Sequence, residues 1–194
     1  TEIPILVTAV TDPADAKLVE SNEHPGGNVT GTSDMNPVAE QMNLLKTLVP
    51  DAQTVGFLYN SAEANSKLQV DMAREAAEGM GLECIDFTVS SANEIQGVVE
   101  SAVSRVDAFY APPDNVIANG MATVSMITEP ARIPVICGEE GQVQNGGTAT
   151  YGISYYNLGK LTATQAVDIL EGKSAPADMP IQYLTDCVLS INEE

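Results

Sequence analysis

Ile3-Pro4-Ile5-Leu6-Val7-Thr8-Ala9-Val10-Thr11-Asp12-Pro13, and then His24-Pro25-Gly26-Gly27-Asn28-Val29-Thr30-Gly31-Thr32-Ser33, are the two stretches whose order decides the fold. The first reads as a short apolar strand, Ile3 to Val7, with a polar carboxyl end from Thr8 to Pro13. The segment between them reads as a helix, and the second stretch as a glycine-rich hinge. A strand, its polar end, a helix and a connector thus stand ahead of a complete further series of strand–helix units. That order predicts a chain that leaves one lobe to build another, with a cleft between the two as the working part.

Outward from the hinge, apolar periodicity alternates between helical and strand spacing. Val38 to Leu48 places Ala39, Met42, Leu45 and Val49 on one stripe, with Glu40, Gln41, Asn43 and Lys46 opposite. Asp34 or Asn36 stands where a cap is expected, with Pro37 at the first helical position. Thr54 to Tyr59 is a short β-rich run of the kind covered on both faces, ending in Asn60-Ser61. Ser61 to Gly79 reads as a helix with Leu68, Met72, Ala76 and Met80 inward. Further strands are predicted at Cys84 to Val89, Ala108 to Ala111 and Ile133 to Cys137, separated by helices over 91–103 and 116–129. Asn145 to Gly152 reads as a second hinge. A helix follows from Asn157 to Gly172, with Leu161, Ala163, Ala166 and Leu170 inward, then a proline-bearing linker and one or two strands at the end.

Repeated strand–helix units with fully apolar strands predict an α/β fold, a doubly wound parallel sheet with helices on both faces. Ligands of such sheets bind beyond the carboxyl ends of the strands. Those ends are Thr8 to Asp12, Tyr59 to Ser61, Pro113 to Asn115 and Gly138 to Glu140.

Composition narrows the function classes. The 194 residues carry a formal net charge of −19, with eight basic residues scattered along the chain. A field of that sign repels phosphate backbones, so nucleic acid is not an expected partner. No stretch approaches the ~18 consecutive apolar residues of a membrane span. Cys84, Cys137 and Cys187 are odd in number and far apart, with His24 the one imidazole in the chain, so no metal site is expected. No P-loop, GxSxG elbow or acid–base pair supplies catalytic residues, and no cofactor is expected. His24 reads as an exposed turn residue.

Many short pieces in the right order resemble the ABC-transporter substrate-binding proteins, whose characterised members bind aromatic amino acids such as tryptophan or phenylalanine. They include the opening strand with Val10-Thr11-Asp12-Pro13, the Pro25 to Gly31 stretch, Tyr59-Asn60-Ser61, Asp114-Asn115 and Ile133-Pro134-Val135. Glu139-Glu140-Gly141, Tyr151-Gly152-Ile153-Ser154-Tyr155-Tyr156-Asn157-Leu158-Gly159 and Ile169 to Lys173 continue the likeness. The resemblance implies a periplasmic-binding-protein-like type I fold, shortened at its amino end. Residues 1–27 would be the remnant of lobe 1, its last strand and helix. Residues 28–150 would be lobe 2, and 151–194 the returning helix, linker and terminal strands.

The resemblance further implies a small-molecule ligand, an amino acid above all, a membrane ABC permease as partner, and an extracytoplasmic location at the cell surface, as a lipoprotein, or in the periplasm. An amino acid needs donors for its carboxylate, acceptors for its ammonium and an apolar wall. The expected ligand residues are Thr8, Ala9 and Thr11 from lobe 1, and Tyr59, Asn60, Ser61, Pro113, Asp114, Asn115, Glu139 and Glu140 from lobe 2. Simpler roles stand beside these: Ser61 and Asp114 as helix caps, and Tyr59, Tyr110 and Tyr155 as packing residues. Two other functional classes stay open, an effector-binding domain of a bacterial transcription regulator and a small doubly wound enzyme using Asp12 or Asp114.

Overall fold

Strands covered on both faces join in parallel only through crossovers long enough to hold a helix, and the alternation along this chain supplies them. The fold is seen in a computed structural model that describes residues 2–193. Two sheets form, one in each of two compact units.

The larger unit spans Asn36–Gly152 and takes up the chain again from Val188. Its strands are β3 (Thr54–Asn60), β4 (Glu83–Val89), β5 (Ala108–Ala111), β6 (Val135–Cys137), β7 (Ala149–Ile153) and β9 (Cys187–Ile191), in the order β4-β3-β5-β6-β7-β9. The registered pairs from β4 through β7 are all parallel. Alternation along each strand decides which helical layer a side chain meets. Val55 and Phe57, with Tyr110 and Ile136, pack under α1 (Val38–Leu48) and α2 (Ala64–Gly79). Leu58, Phe109, Val135 and Cys137 pack under α3 (Ile95–Ala102) and α4 (Asn115–Ala131). β3, β5 and β6 therefore have no solvent face, whereas β4 alternates, with Asp86 and Thr88 exposed and Phe87 and Val89 buried.

Helix α2 meets the sheet one position away from the expected stripe: Val70, Ala73 and Ala77 are buried, while Met72 is 38% exposed. Alanines let the helix approach closely and leave the longer methionines at its margin. Between β6 and β7 a short helix, α5 (Glu140–Gln144), was not anticipated.

The smaller unit runs up to Met35 and resumes over Ile153–Cys187. Its sheet has the order β1-β2-β8, from β1 (Ile5–Val7), β2 (Val29–Ser33) and β8 (Gln182–Tyr183), all parallel, with α6 (Tyr155–Leu170) alongside. Here the expected hinge is the central strand. Its threonines bond with their side chains, Thr30 Oγ1 to Met179 O at 2.6 Å and Thr32 Oγ1 with Thr162 Oγ1 at 2.7 Å. Gly31 sits at φ +145°, and an added Cβ would overlap the Val7 carbonyl oxygen. A glycine that looks like flexibility in sequence is here a close approach of two strands.

Several boundaries differ from expectation. The chain passes between units at 35/36, 152/153 and 187/188, against expected boundaries at 27/28 and 150/151, so 28–35 belong with the smaller unit and most of β9 with the larger. The second half of the other expected hinge, Ala149 to Gly152, lies in strand β7. The helix expected within residues 1–27 is absent, because the chain takes one turn and stops. Ala16 N–H donates to Asp12 O, Leu18 N–H to Pro13 O, and Lys17 adopts a left-handed φ of +59°. Asp12 holds that turn, its Oδ1 accepting from Ala14 N, Asp15 N and Asn22 Nδ2 at 2.9–3.1 Å. In α6 Leu158 and Gln165 face inward, whereas Leu170 is 86% exposed.

Two outcomes follow from the smaller unit. Gly31→Ala destabilises it by about 2–4 kcal/mol, through a strained φ and a clash with backbone that cannot retreat, as urea unfolding will measure. Partial burial raises the Asp12 pKa, but the bonds from Asn22, Asp15 and Ala14 outweigh it and leave the carboxyl below its ordinary value. A lowered folded-state pKa stabilises above the unfolded value of about 3.9 and is lost as pH falls through the folded one. The stability gap between the wild type and Asp12→Asn should therefore be full at pH 6 and close progressively below pH ~4.

Candidate functional site

Polar side chains excluded from the strand faces collect at the carboxyl ends of β3, β5 and β6. Asp114 is the N-cap of α4. Its Oδ1 accepts from Val116 N and Ile117 N, both at 2.9 Å, and its Oδ2 accepts from Asn60 N at 2.7 Å. One carboxylate, 3% exposed, thus satisfies two orphan helix donors and pins the end of β3 to the turn after β5. Asn60 turns its own Oδ1 to Ala62 N at 3.0 Å. Asn65 Nδ2 and Ser66 Oγ both reach Pro113 O, which binds α2 to the same turn.

The end of β6 joins this group through Gly138. Its N–H donates to Ala111 O at 2.7 Å, and an added Cβ would overlap the Pro113 ring. Glu139 follows as the N-cap of α5, its Oε2 accepting from Gly141 N at 2.8 Å. Asn60, Pro113, Asp114 and Glu139 are therefore brought to one end of one sheet. Asn115 is exposed and donates from N and Nδ2 to Glu63 Oε2 at 3.2 and 3.0 Å; Glu140 and Ser61 are also exposed.

Other expected residues have different surroundings. Ser61 does not cap α2, which begins at Ala64 with Glu63 in the N-cap position and no side-chain cap. That terminus carries a carboxylate residue of its own, which weakens the case for an anion there. Neither Asp34 nor Asn36 caps α1, whose N-cap is Pro37. Tyr59 is 9% exposed within the α1–α2 core layer, where burial, and secondarily Asp86, raises its pKa. Tyr110 is fully buried edge-on to Phe57, so its ring is a packing ring, and burial pushes its hydroxyl far up. Tyr155 donates its hydroxyl to Asp34 Oδ2 at 3.0 Å in the smaller unit.

Thr8, Ala9 and Thr11 belong to that smaller unit and to a separate bonding system. Thr8 Oγ1 accepts from Thr32 Oγ1 at 3.2 Å, Ala9 adopts φ +55°, and Thr11 O accepts from Ser33 Oγ at 2.6 Å. Among the described residues no cluster of His, Cys, Asp or Glu could hold a metal ion, and no helix is long and apolar enough to cross a membrane.

Two residues that the sequence reading passed over matter here. Gln41, placed on the polar face of α1, is 0% exposed, and so is Gln142 on α5. Gln41 lies three residues after buried Val38 and four before buried Leu45, so helical spacing alone put it on the stripe.

A family model described as ABC transporter substrate binding protein matches residues 1–194. A curated relative from Clostridioides difficile (strain R20291), named tyrosine-binding protein, is 42% identical over 193 residues, covering 100% of this chain and 56% of its own length. A solved structure of an ABC domain in complex with L-Trp, from Streptococcus pneumoniae, superposes with a TM-score of 0.90 at 40% identity, over 97% of this chain and 63% of that one. The ligand-free, open structure of a substrate-binding protein with adhesive properties, from Clostridium difficile, gives 0.81 at 42% identity, over 99% and 65%. The chain thus spans somewhat over half the length of these relatives.

Because Asp114 does two structural jobs, Asp114→Ala should cost about 2–4 kcal/mol, from a lost cap and a buried Asn60 N–H left without its acceptor. Asp114→Asn keeps an oxygen for the cap but turns an amide donor toward Asn60 N–H, so it should still cost about 1–3 kcal/mol in chemical unfolding, less than Asp114→Ala.

Proposed function

Since the chain belongs to the family of ABC transporter substrate-binding proteins, we propose that it serves an ABC importer as an extracytoplasmic receptor for a free amino acid, an aromatic one in the first place. The observation that carries the reading is the gathering of Asn60, Pro113, Asp114 and Glu139 at the carboxyl ends of three neighbouring parallel strands. Relatives at 40% and 42% identity whose names specify L-Trp and tyrosine support the ligand class.

In this reading the half-buried Glu139, with Glu140, accepts from the ligand ammonium. Asp114 adds negative potential nearby, while its bonded oxygens hold the turn in place. With Asn115 engaged by Glu63 and Tyr59 packed in the core layer, the exposed Ser61 hydroxyl is the remaining donor of this group for the ligand carboxylate, and Pro113 contributes apolar wall. From the smaller unit, Thr8, Ala9 and Thr11 are the contributing strand-end residues. Contacts drawn from both units shift a pre-existing equilibrium between open and closed forms, which a membrane permease then reads. No bond is broken, and no metal or cofactor has a role.

A thermal-shift screen of the twenty amino acids tests this. Tyrosine, tryptophan or phenylalanine at 100 times its dissociation constant should add ~2.7 kcal/mol of stability. No shift with any of the twenty overturns the amino-acid reading. Glu139→Gln, which keeps an oxygen for the cap but loses the charge, should weaken the best ligand tenfold or more in calorimetry with little change in unfolding midpoint.

A further inference from the structure

The Gly138 peptide is gripped from two sides by buried carboxamides. Its N–H, besides Ala111 O, donates to Gln142 Oε1 at 3.1 Å, and its C=O accepts from Gln41 Nε2 at 3.2 Å. Gln142 Nε2 donates in turn to Pro112 O at 2.8 Å. Gln41 Nε2 also donates to Tyr151 O at 3.0 Å, and its Oε1 accepts from the Tyr110 hydroxyl at 2.9 Å.

This arrangement continues a sheet that its backbone cannot extend. The β5–β6 register ends at Ala111↔Cys137, and the next two residues of β5's exit, Pro112 and Pro113, have no N–H. A carboxamide carries the donor and acceptor of a peptide group. Gln142 therefore adds one more rung beyond the strands, between Pro112 O and Gly138 N. Leucine or methionine would fill the same volume but leave Pro112 O, Tyr151 O and the Tyr110 hydroxyl without these partners, so each glutamine both satisfies buried polar groups and sets their direction. That direction fixes the peptide that immediately precedes Glu139 and touches the Pro112-Pro113-Asp114 turn.

We propose that Gln41 and Gln142 are positioning residues of the ligand site, acting through Gly138 to hold Glu139 in place relative to the Asp114 turn. The inference rests on the assignment of Glu139 as an acceptor for the ligand ammonium. A carboxylate held in its bound position before the ligand arrives costs no ordering on binding, so the clamp appears as affinity.

The test is a double-mutant cycle on the protein, with the dissociation constant of L-tyrosine or L-tryptophan measured for Gln142→Met, Gln41→Met and Tyr110→Phe, each alone and with Glu139→Gln. Gln142→Met should weaken binding tenfold or more at temperatures where the variant is fully folded, and in the Glu139→Gln background the same change should cost less than about threefold. Equal losses in both backgrounds would mean a structural role only and overturn the proposal. Tyr110→Phe removes just the hydroxyl that orients Gln41 and covers the case in which Gln41→Met does not fold; its loss should likewise shrink in the Glu139→Gln background.

Amide hydrogen exchange judges the clamp without any ligand. In Gln142→Met the amides of Gly138 and Gly141 should exchange at least tenfold faster while those of Val55 to Leu58 keep their protection, and unchanged exchange at Gly138 refutes it. If the wild type binds no amino acid, the functional reading fails, while exchange still decides whether the clamp holds Gly138.

Discussion

A strand covered by helices on both faces has nowhere along its length to put a polar side chain. In the larger unit this constraint governs β3, β5 and β6, where Val55 and Phe57 face one helical layer and Leu58 and Phe109 the other. Polar groups accumulate where the ladder stops and backbone donors and acceptors need partners. The strand ends are thereby both the place where hydrogen bonds must be supplied and the place where a solute can be met. Asp114, Asn60, Gln142 and Gln41 all belong to that zone, and each bonds main chain.

In the proposed reading, stability and recognition are consequently built from the same atoms. Asp114 caps α4 and anchors β3 with one carboxylate, and Gly138 exists as glycine because the proline turn lies against it. A bent or frayed strand end would move Glu139, and under the proposed function that rigidity enters ligand discrimination. The chain carries a formal net charge of −19, a field that repels phosphate backbones. Tyr110 shows the same economy: its ring packs edge-on against Phe57 while its hydroxyl orients Gln41.

Most of the larger unit was legible in the chain. Val38–Leu48 and Ala108–Ala111 fall on the residues that periodicity assigned to them, and the strand ends at Asn60, Asp114 and Glu139 were picked out because apolar runs stop there. Glycine and threonine misled. Gly26 to Ser33 and Asn145 to Gly152 look like connectors by composition, yet Val29–Ser33 and Ala149–Ile153 are buried strands. Threonine is a good strand residue once its hydroxyl finds Met179 O or Thr162, partners more than a hundred residues away. Glutamine misled in the other direction. Gln41 is polar by type and buried by place, because Tyr110, Gly138 and Tyr151 complete its bonds.

By itself the sequence determined the α/β alternation, the apolar strands and their polar ends, since these follow from spacing between near neighbours, together with the resemblance that pointed to a solute receptor. Tertiary structure alone decided which glycine is a contact, which aspartate is a clamp and which glutamine is interior. Each of those depends on atoms brought close by folding, and a side chain's environment is set by neighbours in space that no local pattern encodes.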